Sequence, residues 1–235
     1  DEDGAYPGAN DALLRLKALG KTVIVLSNSG RSGDYNAERF VKLGFDREGF
    51  ERFLTSGDVA YDILAGETAG SAVGTRCLTI SSGGDRNLAD RLGFKSVVDA
   101  ALADIVIVSG SEADRVPMAD YRRRLAPAAR RGVPCYCTNP DRHKLASGGT
   151  TAPGAGSIAL AYQDLGGPVR WFGKPHPAVF RPTGSSASAT AWNTTLPAPP
   201  ARGSPPASSG RASSPKAPRP ISPPLPASTA RARIS

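Results

Sequence analysis

Ser27-Asn28 and Lys174 are the residues of this chain whose types and settings best suit a phosphate group. The first two end Val23-Ile24-Val25-Leu26-Ser27-Asn28, an apolar, β-branched run too short for a helix. It reads as a buried strand that delivers a hydroxyl and an amide at its carboxyl end. The lysine stands in Phe172-Gly173-Lys174-Pro175-His176-Pro177, at the end of a second predicted strand, where glycine and the prolines restrict the backbone around it. A serine hydroxyl and nearby backbone N–H groups donate hydrogen bonds to phosphate oxygens, and an ammonium supplies a point charge to a developing anion. Taken alone, Ser27-Asn28 reads more readily as a strand-to-helix turn that satisfies local backbone groups, so the pairing with Lys174 carries the reading.

Other residues offer chemistry with an ordinary reading beside it. Asp1-Glu2-Asp3-Gly4 has the form of a paired-carboxylate motif, with Asp1 as nucleophile and Asp3 as acid/base, and it also has the form of a solvated terminus. Asn139 and Asp141 either contact a substrate or shape an Asx turn at Pro140. Ser82-Gly83-Gly84-Asp85 follows a strand and precedes a helix as a phosphate-cradling turn does, without the full glycine pattern of a dinucleotide site. His176 opens a short helix and His143 falls in a polar loop, positions that favour structural or solvent-facing roles. Cys135-Tyr136-Cys137 has no second Cys/His pair at a metal-binding distance; with Cys77 these read as buried free thiols in a reducing compartment.

The elements that must position these residues alternate. The leucines of residues 10–19 give a helix closed by Gly20, followed by the strand 22–26. Asp34 is expected to cap a helix with Phe40, Val41 and Leu43 inside, and Ser56 to cap another running to Leu64 after the strand Phe53-Leu54-Thr55. Strands are expected at 76–80, 105–108, 133–137 and 169–172, with helices at 86–92, 117–130 and 154–165 between them. This grammar predicts an α/β fold with largely parallel strand pairing.

Composition divides the chain. Residues 183–235 hold eleven prolines, six of the 29 Lys and Arg and none of the 21 Asp and Glu, so the formal charge of +8 falls to about +2 before them. Such a segment cannot bury enough apolar surface to offset its ordering entropy, and a disordered tail is expected there. Its cations are sparse and lack an aromatic stacking platform, which argues against nucleic-acid binding. No stretch approaches the roughly 20 apolar residues of a membrane span, and no charged-then-apolar signal pattern opens the chain, so the expected location is cytoplasmic.

Tyr6-Pro7-Gly8-Ala9, the strand ending Leu26-Ser27-Asn28, then Thr138-Asn139-Pro140-Asp141 and Gly173-Lys174-Pro175-His176-Pro177, in that order, resemble the haloacid dehalogenase superfamily. The resemblance covers about residues 3–182 and is closest to subclass IIA, the sugar-phosphate, nitrophenyl-phosphate and pyridoxal-phosphate phosphatases. It implies an α/β fold in which a Rossmann-like core (1–65 and 153–182) carries a large inserted α/β cap (66–152), followed by the tail (183–235). The implied reaction is Mg²⁺-dependent phosphoryl transfer from a small phosphorylated metabolite to an aspartate, then hydrolysis, in a protein able to self-associate through its cap.

By position, the resemblance makes Ser27 the phosphoryl-binding residue, Asn28 the shaper of its loop and Lys174 the neutraliser of nucleophile and phosphate. Asn139 and Asp141 would lie over the substrate, and Asp1 and Asp3 would hold the metal. No strand precedes Asp1, and the tail contains no carboxylate to complete the metal site, so the chain is expected to be truncated at both ends and to show little or no hydrolysis. The alternatives are a non-catalytic remnant that keeps the cap and a phosphate-binding shelf, or a protein that binds through its basic tail.

Overall fold

A sheet of five short strands, its central strands buried on both faces, organises the rest of the chain. In this computed structural model residues 4–68 and 74–180 are described; Asp1, Asp3 and the expected tail at 183–235 lie outside them. The first part runs α1 (Ala9–Ala18), β1 (Ile24–Ser27), α2 (Gly33–Lys42), β2 (Arg52–Thr55) and α3 (Ser56–Glu67). The second runs β3 (Arg76–Ile80), α4 (Asn87–Arg91), β4 (Lys95–Ser96), β5 (Ile105–Val108), α5 (Met118–Arg130) and β6 (Cys135–Cys137). It continues with β7 (His143–Leu145), β8 (Thr151–Pro153), α6 (Ala155–Asp164) and β9 (Val169–Trp171).

The strands β4-β3-β5-β6-β9 form one all-parallel sheet in that order. Period-two alternation sorts their side chains. Leu78, Ile80, Val106 and Val108 face Leu125, Ile158 and Tyr162 of α5 and α6, whereas Cys77, Ile105 and Ile107 face Val59, Leu64 and Leu88 of α3 and α4. With helices on both faces, β5 is buried at all four positions, which is why it reads as an unbroken Ile-Val-Ile-Val run. Each fully buried side chain of this size contributes on the order of 1.5–3 kcal/mol. Tyr162 brings its polar end with it, donating its hydroxyl to the Val133 carbonyl at 2.6 Å.

β1 and β2 form a separate parallel pair in which Ser27 stands opposite Thr55. In the larger sheet, Ile80, Val108, Cys137 and Trp171 are level with one another. The loops that begin at Ser81, Ser109, Thr138 and Phe172 therefore leave from one common carboxyl edge. The division expected between cap and core at residues 152 and 153 falls inside this architecture: β6 pairs with β9, and α6 packs beside α5 on the same face.

Several local expectations differ from what folds. The cap of α2 is Ser32, which accepts the Tyr35 N–H, and Asp34 lies in the first turn. Thr55 caps α3 by accepting the Asp58 N–H, which frees the Ser56 hydroxyl for longer-range bonds. Phe40 alone carries the apolar face of α2 into a group of rings with Phe45, Phe50 and Phe53, while Val41 is 41 % exposed. α1 buries none of its leucines. His143 lies in the antiparallel β7–β8 pair rather than in a loop.

Cys77, Cys135 and Cys137 are free and buried, as expected. Burial pushes the Cys77 thiol up to about 11 and the Cys137 thiol up to about 12, so none of the three is a thiolate nucleophile near neutral pH. No helix among the described residues is long and apolar enough to cross a membrane.

Candidate functional site

Lys174 reaches the end of the strand that carries Ser27 because the carboxyl ends of the two sheets meet. Ser56, at the start of α3, donates its hydroxyl to the Ser29 carbonyl at 3.0 Å and to the Thr138 carbonyl at 2.5 Å, tying the loop after β1 to the loop after β6. Gly30 makes that approach possible: a Cβ there would meet the Ser109 side chain at 2.7 Å and Thr138 Oγ1 at 2.8 Å. Beyond Ser27 the chain is Asn28-Ser29-Gly30-Arg31, a small polar run whose backbone bends tightly over the start of α3.

Asn28 is the hub. Its Oδ1 accepts the Lys174 N–H at 2.7 Å, and its Nδ2 donates to the Lys174 carbonyl at 3.1 Å and to Asp141 Oδ1 at 2.8 Å. A single amide thus fixes the backbone of the lysine on both sides and binds the loop after β6. Gly173 must be glycine for this to occur: its φ is +100°, and a Cβ there would lie 2.7 Å from Asn28 Oδ1.

The Lys174 ammonium, one of whose three protons is donated to the Leu26 carbonyl at 2.9 Å, therefore stands over the end of β1 beside Ser27. Ser27 Oγ accepts the Ser29 N–H at 3.2 Å through a lone pair, which leaves its hydroxyl proton to donate outward. The four described residues singled out with Lys174 occupy one neighbourhood. Ser27 and Asn28 end β1, Asp141 touches Asn28, and Asn139 Oδ1 accepts the Asp141 N–H at 3.1 Å in an Asx turn. Both readings of Asn139 and Asp141 are compatible with this, since the turn is what presents the Asp141 carboxylate.

The remaining sequence candidates sort differently. The glycine turn is filled from within the chain, because the Gly83 N–H is donated to Glu112 Oε1 at 2.9 Å. His176 precedes a short 3₁₀ helix at Pro177–Phe180 and stacks on Trp171 at 5.7 Å, which agrees with a structural role.

Sequence reasoning missed the cleft beside the site. About 810 Å³ in volume, it opens at Ser29 and Asp141, next to the Ser27–Lys174 grip rather than around it, and extends along Arg31, Asn36 and Arg39. Arg31 crosses it to pair with Asp85 at 3.0 Å and lies over the Tyr35 ring. Lys144, also lining the cleft, pairs with Asp114 at 2.5 Å. The one sequence signal for it was the run of serine, glycine and arginine after Asn28.

No group of three or more His, Cys, Asp or Glu among the described residues could hold a metal ion. The ligands that the resemblance assigns, Asp1 and Asp3, lie outside those residues. The described donors therefore do not make up a magnesium site.

Residues 1–95 match the family described as haloacid dehalogenase-like hydrolase. Among solved structures, a haloacid dehalogenase-like family hydrolase from Brucella suis 1330 is 29 % identical with a TM-score of 0.64, over 76 % of this chain and 64 % of that one. A p-nitrophenyl phosphatase from Archaeoglobus fulgidus is 26 % identical with a TM-score of 0.55, over 77 % of this chain and 69 % of that one. A glycerol phosphate phosphatase from Mycobacterium tuberculosis, in complex with magnesium, is 28 % identical with a TM-score of 0.57, over 76 % of this chain and 52 % of that one. This chain thus spans between about half and about two thirds of the length of these proteins. No curated protein matches it in sequence.

Proposed function

We propose that this chain is a haloacid dehalogenase-like hydrolase in which Ser27, Asn28 and Lys174 form the phosphate grip of a phosphomonoester hydrolase. The observation that carries this reading is the Asn28 clamp, which fixes the Lys174 backbone from both sides and so sets the ammonium over the end of the Ser27 strand. Two solved relatives above 25 % identity bear phosphatase names, and one of them contains magnesium, the metal expected for the family.

In this reading the Ser27 hydroxyl donates to one phosphoryl oxygen and Lys174 neutralises the charge that builds on the phosphoryl as its ester bond breaks. An aspartate carboxylate takes the phosphoryl, the leaving oxygen takes a proton, and water then cleaves the acyl phosphate. Asp1 is proposed as nucleophile and Asp3 as acid/base, by resemblance. Magnesium would add positive charge against the transferring phosphoryl, but the described residues supply no site through which a step can be derived. Asn139 and Asp141 are proposed to border the substrate. Residues 66–152 are proposed as the cap, and the β6–β9 pairing favours carrying it through Trp171 to Gly173. The substrate is proposed to be a small phosphorylated metabolite, met in the cytoplasm.

The test is hydrolysis of p-nitrophenyl phosphate by the full chain with and without Mg²⁺, alongside Asp1→Asn. The expected result is slight, metal-dependent turnover that Asp1→Asn abolishes. Phosphate binding that depends on Lys174, with no turnover at any Mg²⁺ concentration, would overturn the hydrolase reading and leave only a binding shelf.

A further inference from the structure

The strand order β4-β3-β5-β6-β9 is, in chain order within this sheet, second, first, third, fourth, fifth. The order reverses between β3 and β5, and open parallel sheets bind ligands in the crevice outside the carboxyl ends at such a reversal. Here that crevice receives Ser82 after β3, and Ser109 and Ser111 after β5, all lining the cleft beside the phosphate grip. The opposite wall is α2 and the loop before it. At about 810 Å³ the cleft lies in the range of small-molecule sites and is far larger than one phosphoryl group requires.

Its charges are not equivalent. Arg31 is paired with Asp85, and Lys144 with Asp114. Asp141 accepts from Asn28. Arg39 is exposed, lines the cleft, and has no acidic partner among the described residues. The helix that carries it is anchored at Asn36, three residues earlier on the same helical face, which donates to Ser29 Oγ at 3.1 Å and to the Ser32 carbonyl at 2.8 Å. Three residues of helix rise about 4.5 Å, so Arg39 stands nearly one turn beyond the contact with the phosphate loop. A guanidinium offers a planar fork matched to phosphate or carboxylate.

We propose that this cleft selects phosphomonoesters carrying a second anionic group at the far end of a hexose-sized body, and that Arg39 binds that group. This rests on the phosphate grip at Ser27 and Lys174. Arg39 acts in recognition, remote from the reacting atoms.

Fructose 6-phosphate and fructose 1,6-bisphosphate differ only in the second phosphate, and titration calorimetry with the full chain reads their affinities alongside inorganic phosphate. The bisphosphate is expected to bind at least tenfold tighter, beyond the factor of two that two equivalent phosphates would give. Arg39→Gln should bring the ratio to about two while leaving inorganic phosphate and fructose 6-phosphate unchanged. Arg39→Lys should restore part of the ratio, and Arg130→Gln, on the exposed face of α5, should leave it intact. A wild-type ratio near two, or a ratio indifferent to Arg39→Gln, overturns the inference. A bisphosphate preference that follows Arg39 while Lys174→Ala changes no affinity overturns the grip beneath it and leaves a separate anion site.

Discussion

Lys174→Ala is expected to weaken binding of inorganic phosphate by about tenfold while moving the unfolding midpoint little. Hydrogen bonds that involve a charged partner contribute on the order of 1.5–3 kcal/mol, and each 1.4 kcal/mol is a factor of ten in affinity. The lower end applies because the lysine is exposed and water screens its charge. Its bond within the protein, to the Leu26 carbonyl, is also exposed, so water can take its place in the variant. Isothermal titration with phosphate, and thermal unfolding of the same samples, separate the two quantities. Equal phosphate affinity in wild type and variant would remove Lys174 from the site. A large loss of stability would make it a structural residue instead.

Asn28→Asp is expected to cost more than its nearly identical shape suggests, on the order of a hundredfold in phosphate affinity. The side-chain amide donates to the Lys174 carbonyl and to Asp141 Oδ1, and a carboxylate can donate to neither. It would also set a second negative oxygen near the 2.8 Å position that a donor now occupies against Asp141. Two carboxylates at that separation either share a proton or move apart, and moving apart releases the backbone on both sides of Lys174. The double substitution Asn28→Asp with Asp141→Asn restores a donor between the two positions and should recover part of the loss. A double-mutant cycle measures the recovery, and coupling of 0.5–3 kcal/mol is typical of residues in one hydrogen-bond network. Additive effects in that cycle would show that Asn28 and Asp141 do not act together.

The sequence disclosed most where local and tertiary demands agree. The strands at 76–80 and 105–108 have the bounds the sequence suggested: burial on both faces demands the unbroken apolar run of 105–108, and Cys77, Leu78 and Ile80 are the buried positions of 76–80. Caps were misplaced where two candidates adjoin. Thr55 and Ser56 are chemically alike, and only the distant Thr138 carbonyl decides that Ser56 points away from its helix. The β7–β8 pair and the two-residue β4 carry too few residues to show a period.

The positions of Ser27, Asn28 and Lys174 at or just beyond strand ends were legible because strand ends place residues predictably. Their clamp was not, since it spans 146 positions in the chain. The glycine turn at Ser82-Gly83-Gly84 offered the same signal as a phosphate cradle, yet Glu112, 29 residues on, already fills it. The cleft and its Arg39, which has no acidic partner among the described residues, were invisible for a related reason: whether an arginine has a partner depends on which acids the fold brings near it.

The most direct test of the central claim is a crystal of the full chain soaked with tungstate, a heavy phosphate analogue located by its anomalous scattering. The Asn28 clamp predicts an anion bound between Ser27 Oγ and Lys174 Nζ, with the Leu26 contact of the lysine loosened or replaced. Tungstate at the Gly83–Gly84 turn with Glu112 displaced, and none at Lys174, would contradict the account.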